Sequence, residues 1–179
     1  MIISSRIIQK VINMSDSWND SYLGKLRKVV GTQKIIVNSV RAILLDNEGR
    51  ALFIKRHVDK KWGMPAGAME LDESVFDAMK REVKEETGLD VFQATLIAIY
   101  SSPTTQTFTD RWGNEHHVIE YLFRVDKWSG TLEKETNESV DAEFYPLDNL
   151  PEASSVLFAR HHQRVFKDYK KFDGKLILE

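Results

Sequence analysis

Residues 67–89 read GAMELDESVFDAMKREVKEETGL. Ser74 stands where a helix N-cap belongs, Asp77 follows three positions on in the manner of a capping box, and Gly88 is placed as a C-terminal stop. The stretch therefore predicts a helix over 74–87. At about 100° per residue, Glu86 falls about 40° to one side of Glu82 and Glu85 about 60° to the other. Three carboxylates thus share one sector, with the small Ala78 one turn back. Met79, Val83 and Phe76 form an apolar sector beside it, so the acidic sector borders the core-facing side. Like charges at these spacings repel by a few tenths of a kcal/mol per pair. Carboxylates near a helix C-terminus also oppose the macrodipole. A hard divalent cation reverses both penalties, and Mg²⁺ prefers a few carboxylates together with substrate phosphate oxygens. For the helix taken alone, a solvated Glu/Lys-rich surface is the competing reading.

The fixed residues around the helix carry more. Gly67, five residues, Glu73, seven residues, Arg81-Glu82, the apolar Val83, one residue, Glu85-Glu86, one residue, Gly88 and the apolar Leu89 follow in order. This resembles the signature of the Nudix hydrolase family, with each fixed position filled. At residue frequencies of about 5–7%, a chance match is on the order of 10⁻⁹ per starting position. Lys55-Arg56 and Trp62-Gly63-Met64-Pro65 resemble the segment that leads into the signature, and Phe144-Tyr145-Pro146-Leu147 with Leu150-Pro151 resembles the family's closing strand and turn. The resemblance covers about residues 36–152. It departs at Ala66, where many members carry a second glycine, and this bears on the finer substrate geometry.

The resemblance implies an α/β/α sandwich around a central mixed β-sheet, and a Mg²⁺-dependent pyrophosphohydrolase with Mn²⁺ as a substitute ion. It implies Glu82, Glu85, Glu86 and the Gly67 carbonyl as metal ligands. Glu73 and Arg81 are expected to pair and pin the loop to the helix, with Gly88 structural beside them. The catalytic carboxylates are expected among Glu82, Glu85 and Glu138, the last from the polar loop KETNESVDAE; a solvated loop carboxylate is the competing reading for Glu138. Arg56 and Trp62 are the candidates for substrate contact, since an arginine fork chelates phosphate and a tryptophan stacks on a base. A rim charge and a partly buried aromatic are their plainer readings. His116-His117 and His161-His162 lack the spacing that presents two zinc ligands from one helix face. Tyr100 and Trp112 flank a long loop, where they line a base pocket or serve packing.

Outward from the helix, residues 34–45 and 50–56 are rich in aliphatic and β-branched residues around Asp46-Asn47-Glu48-Gly49, which predicts two strands joined as a hairpin. Strands are expected over 91–102, 116–126 and 142–146, and a polar loop over 103–115. A final helix over 155–172 sets Phe158, Val165, Tyr169 and Phe172 on one face. Residues 1–30 read as an N-terminal extension and 31–179 as one catalytic domain.

Composition bounds the rest. The 179 residues are 42% hydrophobic and 29% charged, with net charge −2, which fits one folded domain and lacks the basic field of a nucleic-acid binder. No apolar run reaches the ~20 residues of a membrane span. The absence of cysteine removes disulfides, thiolate zinc sites and cysteine nucleophiles. It fits a reducing compartment, so the expected location is cytoplasmic. The expected partner is a small nucleotide, with neither nucleic acid nor membrane, and a homodimer is one arrangement the extension allows. ADP-ribose or a nucleoside diphosphate sugar is the first expectation for substrate. A (d)NTP is the alternative, and a non-catalytic nucleotide-metabolite-binding module on the same fold is the competing class. Diphosphate isomerisation on this fold uses a cysteine, which is missing.

Overall fold

A computed structural model describes residues 18–152 and 156–179, with side chains throughout except over 156–162. In chain order the elements are α1 (Tyr22–Val30), β1 (Ile35–Ile43), β2 (Ala51–Arg56), β3 (Trp62–Gly63), β4 (Ala66–Ala68), α2 (Val75–Thr87) and β5 (Asp90–Tyr100). There follow α3 (Pro103–Gln106), β6 (Thr107–Thr109), β7 (Glu115–Ser129), β8 (Ser139–Tyr145), α4 (Val156–Lys171) and β9 (Ile177–Leu178).

β1 sets the layering. Side chains alternate along a strand, so Val40 and Ala42 face one way and Arg41 and Ile43 the other. Val40 and Ala42 join Ala78, Met79 and Val83 of α2 in one apolar cluster. Ile43 joins Phe53, Tyr100, Leu122 and, from α4, Val165 and Phe166 in a second. Two helices therefore cover opposite faces of a mixed sheet. In that sheet β1 runs parallel to β7 and antiparallel to β4, β5 is antiparallel to β7, and β9 is parallel to β5. A smaller antiparallel sheet runs β3-β2-β8.

The hairpin expected from β1 and β2 exists only at its tip. Asp46 N–H donates to the Arg50 carbonyl at 3.0 Å and Leu52 N–H to the Leu44 carbonyl at 2.9 Å. Beyond that the strands part into different sheets. Ala51, Leu52, Phe53 and Ile54 are all buried, so β2 needs apolar cover on both faces, and a two-stranded ribbon cannot supply it. The loop expected over 103–115 is also more structured. Pro103 opens the one-turn α3, and β6 pairs with β7, stacking Phe108 on His116 at 4.9 Å. On α4, Val165 is buried and Tyr169, with Phe172 just past the helix end, packs against the second cluster, while Phe158 and His161-His162 lie outside the described side chains.

α1 falls within the segment read as an extension. Leu23 packs on Val37 and Val118. The buried Arg27 donates to the carbonyls of Gly31, Gln33 and Glu115 at 3.0, 2.7 and 2.7 Å and reaches the His116 ring. Residues 1–17 lie outside the described part. Between β1 and β7, Arg41 and Glu120 form a fully buried pair at 3.0 and 2.7 Å, which nothing in the pattern of the sequence announced.

Candidate active site

The helix of residues 75–87 forms as its caps dictate. Ser74 Oγ accepts from the Asp77 amide at 3.1 Å, and Gly88 at φ +75° donates its amide to the Lys84 carbonyl. A Cβ at Gly88 would also run into the Glu133 side chain. The acidic sector lands as the sequence places it, but its members fare differently. Glu82 and Glu86 are buried, 7% and 4% exposed, whereas the Glu85 side chain is 45% exposed.

β4 crosses directly over Glu82. A Cβ at Gly67 would stand 2.1 Å from the Glu82 carboxyl carbon, so the glycine leaves the room that the carboxylate occupies. The Gly67 carbonyl accepts from Ser39 Oγ at 2.9 Å, and Gly67 pairs with Val40 in the antiparallel β1–β4 ladder. The Ala66 amide donates to Glu86 Oε2 at 2.9 Å. Its backbone thus serves the site.

Glu73 and Arg81 pair as expected, bidentately at 2.7 and 3.0 Å. The Glu70 amide adds a bond to Glu73 at 2.6 Å, and Arg81 also donates to the Ala68 carbonyl at 3.1 Å. The free edge of the guanidinium reaches Glu82 at 2.6 Å and Glu85 at 3.0 Å. Arg81 therefore ties the loop after β4 to the carboxylates of α2. Its hydrogen bond to Glu73 holds the Glu73 carboxyl low and the arginine high.

Glu138 comes to the site from 52 positions further along than Glu86. Carboxylate oxygens of Glu82, Glu86 and Glu138 lie within 4.8 Å of one another. Among the described residues, this group includes Glu138 and leaves Glu85 outside. Thr136 Oγ1 accepts from the amides of Glu138 and Ser139, and the buried Ser139 Oγ donates to the Glu86 carbonyl at 2.9 Å. These two hydroxyls were missed in the sequence. The pair Thr136–Ser139 flanking a glutamate was the signal available, since such hydroxyls close local turns.

The electrostatics follow from burial of like charges. Burial pushes the Glu82 carboxyl up to about 7 against the pull of Arg81, and Glu138 and Glu85 add repulsion. Burial, then repulsion from Glu82, holds Glu86 well above the usual carboxylate range. Glu138 is raised by burial and by Glu85, with Arg81 opposing. A buried cluster of this kind is poorly neutralised by one shared arginine. Three oxygen donors converging beside a backbone carbonyl suit a hard divalent cation, so the donor set fits such an ion.

Of the two substrate candidates, Arg56 ends β2 opposite Ser139 and holds Asp59 at 2.7 Å. Its charge acts on Glu86 and opposes the rise of that carboxyl. Trp62 packs edge-on against Tyr145 at 5.2 Å between centroids, with Lys55 over its ring. Its described contacts are packing contacts. Tyr100 is buried and donates to Asp168 at 2.8 Å, so it belongs to the core under α4.

The NUDIX domain model matches residues 36–169. The chain is similar to the ADP-ribose pyrophosphatase of Methanocaldococcus jannaschii, with 33% identity over 132 residues, 72% of this chain and 70% of that protein. It is similar to the 8-oxo-dGDP phosphatase NUDT18 of Mus musculus, with 31% identity over 134 residues, 72% of this chain and 38% of that protein. Among solved structures, an ADP-ribose pyrophosphatase from Streptococcus suis matches at TM-score 0.57 and 20% identity over 80% of this chain and 98% of its own. A MutT protein from Methanosarcina mazei matches at TM-score 0.61 and 21% identity over 77% and 98%. The two structural matches are likenesses of fold.

Proposed function

The chain belongs to the Nudix hydrolase family, and from that premise we propose that it is a divalent-metal-dependent pyrophosphohydrolase of ADP-ribose or a nucleoside diphosphate sugar. The observation that carries this reading is the convergence of Glu82, Glu86 and Glu138, two of them buried, under the glycine that leaves room for Glu82. Glu82 and Glu86 would hold the ion, with the exposed Glu85 at its margin and Glu138 facing it from its loop. A bound Mg²⁺ or Mn²⁺ supplies positive charge for the diphosphate oxygens and acidity for water.

The chain's own residues do the positioning. Arg81 fixes the Glu82 carboxylate, and Glu73 fixes Arg81. Arg56 offers a positive charge to a substrate phosphate beside Glu86. Water attacks one phosphorus, the bridging P–O bond breaks, and two phosphomonoesters leave; from ADP-ribose these are AMP and ribose 5-phosphate. The proton passes to a carboxylate, and Glu138 is the favoured acceptor. It sits on a loop, outside the grip of Arg81's hydrogen bonds, and faces the buried Glu82 and Glu86.

The similarity to a relative named for ADP-ribose favours that substrate. The relatives named for 8-oxo-dGDP support the second reading, hydrolysis of an oxidised or ordinary nucleoside di- or triphosphate. With all signature carboxylates in place, a non-catalytic module is disfavoured. A soluble small-nucleotide enzyme without cysteine suits the cytoplasm. The test is product release from ADP-ribose, NADH, UDP-sugars, dinucleoside polyphosphates and (d)NTPs with Mg²⁺, run beside Glu86→Gln. Cleavage of one class that vanishes in the variant supports the reading. Nucleotide binding with no cleavage anywhere overturns it in favour of a binding module.

A further inference from the structure

The tip between β6 and β7 is built as a rigid mount. Asp110 Oδ1 accepts from the amides of Trp112 and Asn114 at 2.8 and 2.9 Å, and Oδ2 accepts from Asn114 Nδ2 at 2.8 Å. The Asp110 amide donates to the Asn114 carbonyl and Gly113, at φ +82°, donates to the Asp110 carbonyl. On this mount Trp112 is 62% exposed. The Arg111 guanidinium lies 4.2 Å from its ring centroid. A cation thus lies against the indole while most of the residue stays exposed. A large aromatic held out on a well-bonded turn costs apolar exposure and adds nothing to the core.

The tip is also tied to the candidate active site. Arg111 Nη1 donates to the Val58 carbonyl at 3.4 Å, and the amide of the preceding His57 donates to the Glu138 carbonyl at 3.0 Å. Standard backbone dimensions put the Arg111 guanidinium within ~14 Å of the Glu138 carbonyl. This is the order of length of a nucleoside 5′-phosphate. Arg111 at Val58 and Lys60, whose amine lies 3.5 Å from the His57 ring, add positive charge to this loop, which suits a polyanionic substrate.

We propose that Trp112, backed by Arg111, is the platform on which the nucleobase of the substrate stacks when its diphosphate lies at Glu82, Glu86 and Glu138. Trp112 is then a specificity-determining residue, reading a flat aromatic ring at the end of the substrate distant from the sugar phosphate. The inference rests on the proposed hydrolase reading.

The experiment measures AMP and ribose 5-phosphate affinities by calorimetry for the full chain, Trp112→Ala, Trp112→Phe, Arg111→Ala and Glu82→Gln, with sedimentation of each. Removing a base-stacking aromatic costs roughly tenfold or more in affinity. The expected result is a tenfold or greater loss of AMP affinity in Trp112→Ala, recovery in Trp112→Phe, and no matching loss for ribose 5-phosphate. For the cleaved substrate, KM rises in Trp112→Ala far more than kcat falls. The inference is overturned if wild type binds no AMP, or if Trp112→Ala binds AMP as wild type does. It is also overturned if ribose 5-phosphate weakens equally, or if the variant changes only its state of association. Failure of the hydrolase reading is seen separately, as wild type that cleaves nothing in the panel while AMP affinity still responds to Trp112.

Discussion

The Cβ that an alanine would place at Gly67 falls 2.1 Å from the Glu82 carboxyl carbon. The obstacle is the far end of a flexible side chain, not backbone, and Gly67 is not among the residues with positive φ. Glu82 can swing away at small cost in stability, but then it leaves Arg81 and the carboxylate cluster. Gly67→Ala is therefore expected to fold with little change in Tm and to lose about 100-fold or more in kcat, as displacing a first metal ligand would. Circular dichroism with Mg²⁺-supported turnover checks it, and an active variant would place the metal elsewhere.

Glu86→Gln separates the two roles of the cluster. Turnover is expected to fall by about two orders of magnitude, because a charged ligand is lost. Stability in EDTA near pH 8 is expected to rise, because a buried carboxylate facing like charges is replaced by a neutral amide. Thermal melts of the two proteins in EDTA decide this. A variant less stable than wild type there would show that the cluster is neutralised without a cation.

The pH dependence of the metal-free protein follows from the same charges. The folded Glu82 sits at about 7, above the 4.5 of a free glutamate, and Glu86 and Glu138 move in the same direction. Folding therefore favours the protonated carboxyls. Their contribution is fully present below the unfolded value near 4.5 and is lost as pH rises through about 7. In EDTA, Tm is expected to drop by several degrees between about pH 5 and pH 8, since each kcal/mol moves Tm by about 2–4 °C at this size. Mn²⁺ at pH 8 is expected to restore it. A flat EDTA profile would contradict the cause given for these shifts.

α1 is expected to be needed for stability although it precedes the matched family region. Arg27→Met leaves the carbonyls of Gly31, Gln33 and Glu115 without their donor. Buried groups orphaned in this way cost about 1–3 kcal/mol each, so a loss of about 3 kcal/mol or more is expected. Removal of residues 1–30 should be worse, because it also strips the Tyr22 amide from Glu70, whose own amide holds Glu73. Denaturant melts of both proteins test the order. A truncated protein as stable as the full chain would show that the docked helix contributes nothing.

Residues close in sequence wrote their own geometry. Ser74, Asp77 and Gly88 bound the helix because caps act over one turn, and the spacing of Glu82, Glu85 and Glu86 became direction because a helix converts spacing into angle. The Glu73–Arg81 pair was legible for a related reason, since the family pattern carries it across a single loop. The split of β1 and β2 into two sheets was not legible. An apolar strand shows that it will be buried on both faces, but the partner that buries it is chosen by everything else that packs.

The sequence by itself therefore determined the family, the metal-suited helix and the residues available for chemistry. Only the tertiary structure decided which of them meet. It left Glu85 at the surface, brought Glu138 to Glu86 through a Ser139 bond spanning 53 positions, and set Gly67 over Glu82. It also set Arg111, which lies over Trp112, against the loop that touches Glu138. Those meetings depend on how sheets and loops close over long sequence separations, where no fixed period relates the spacing of two residues to the distance between them.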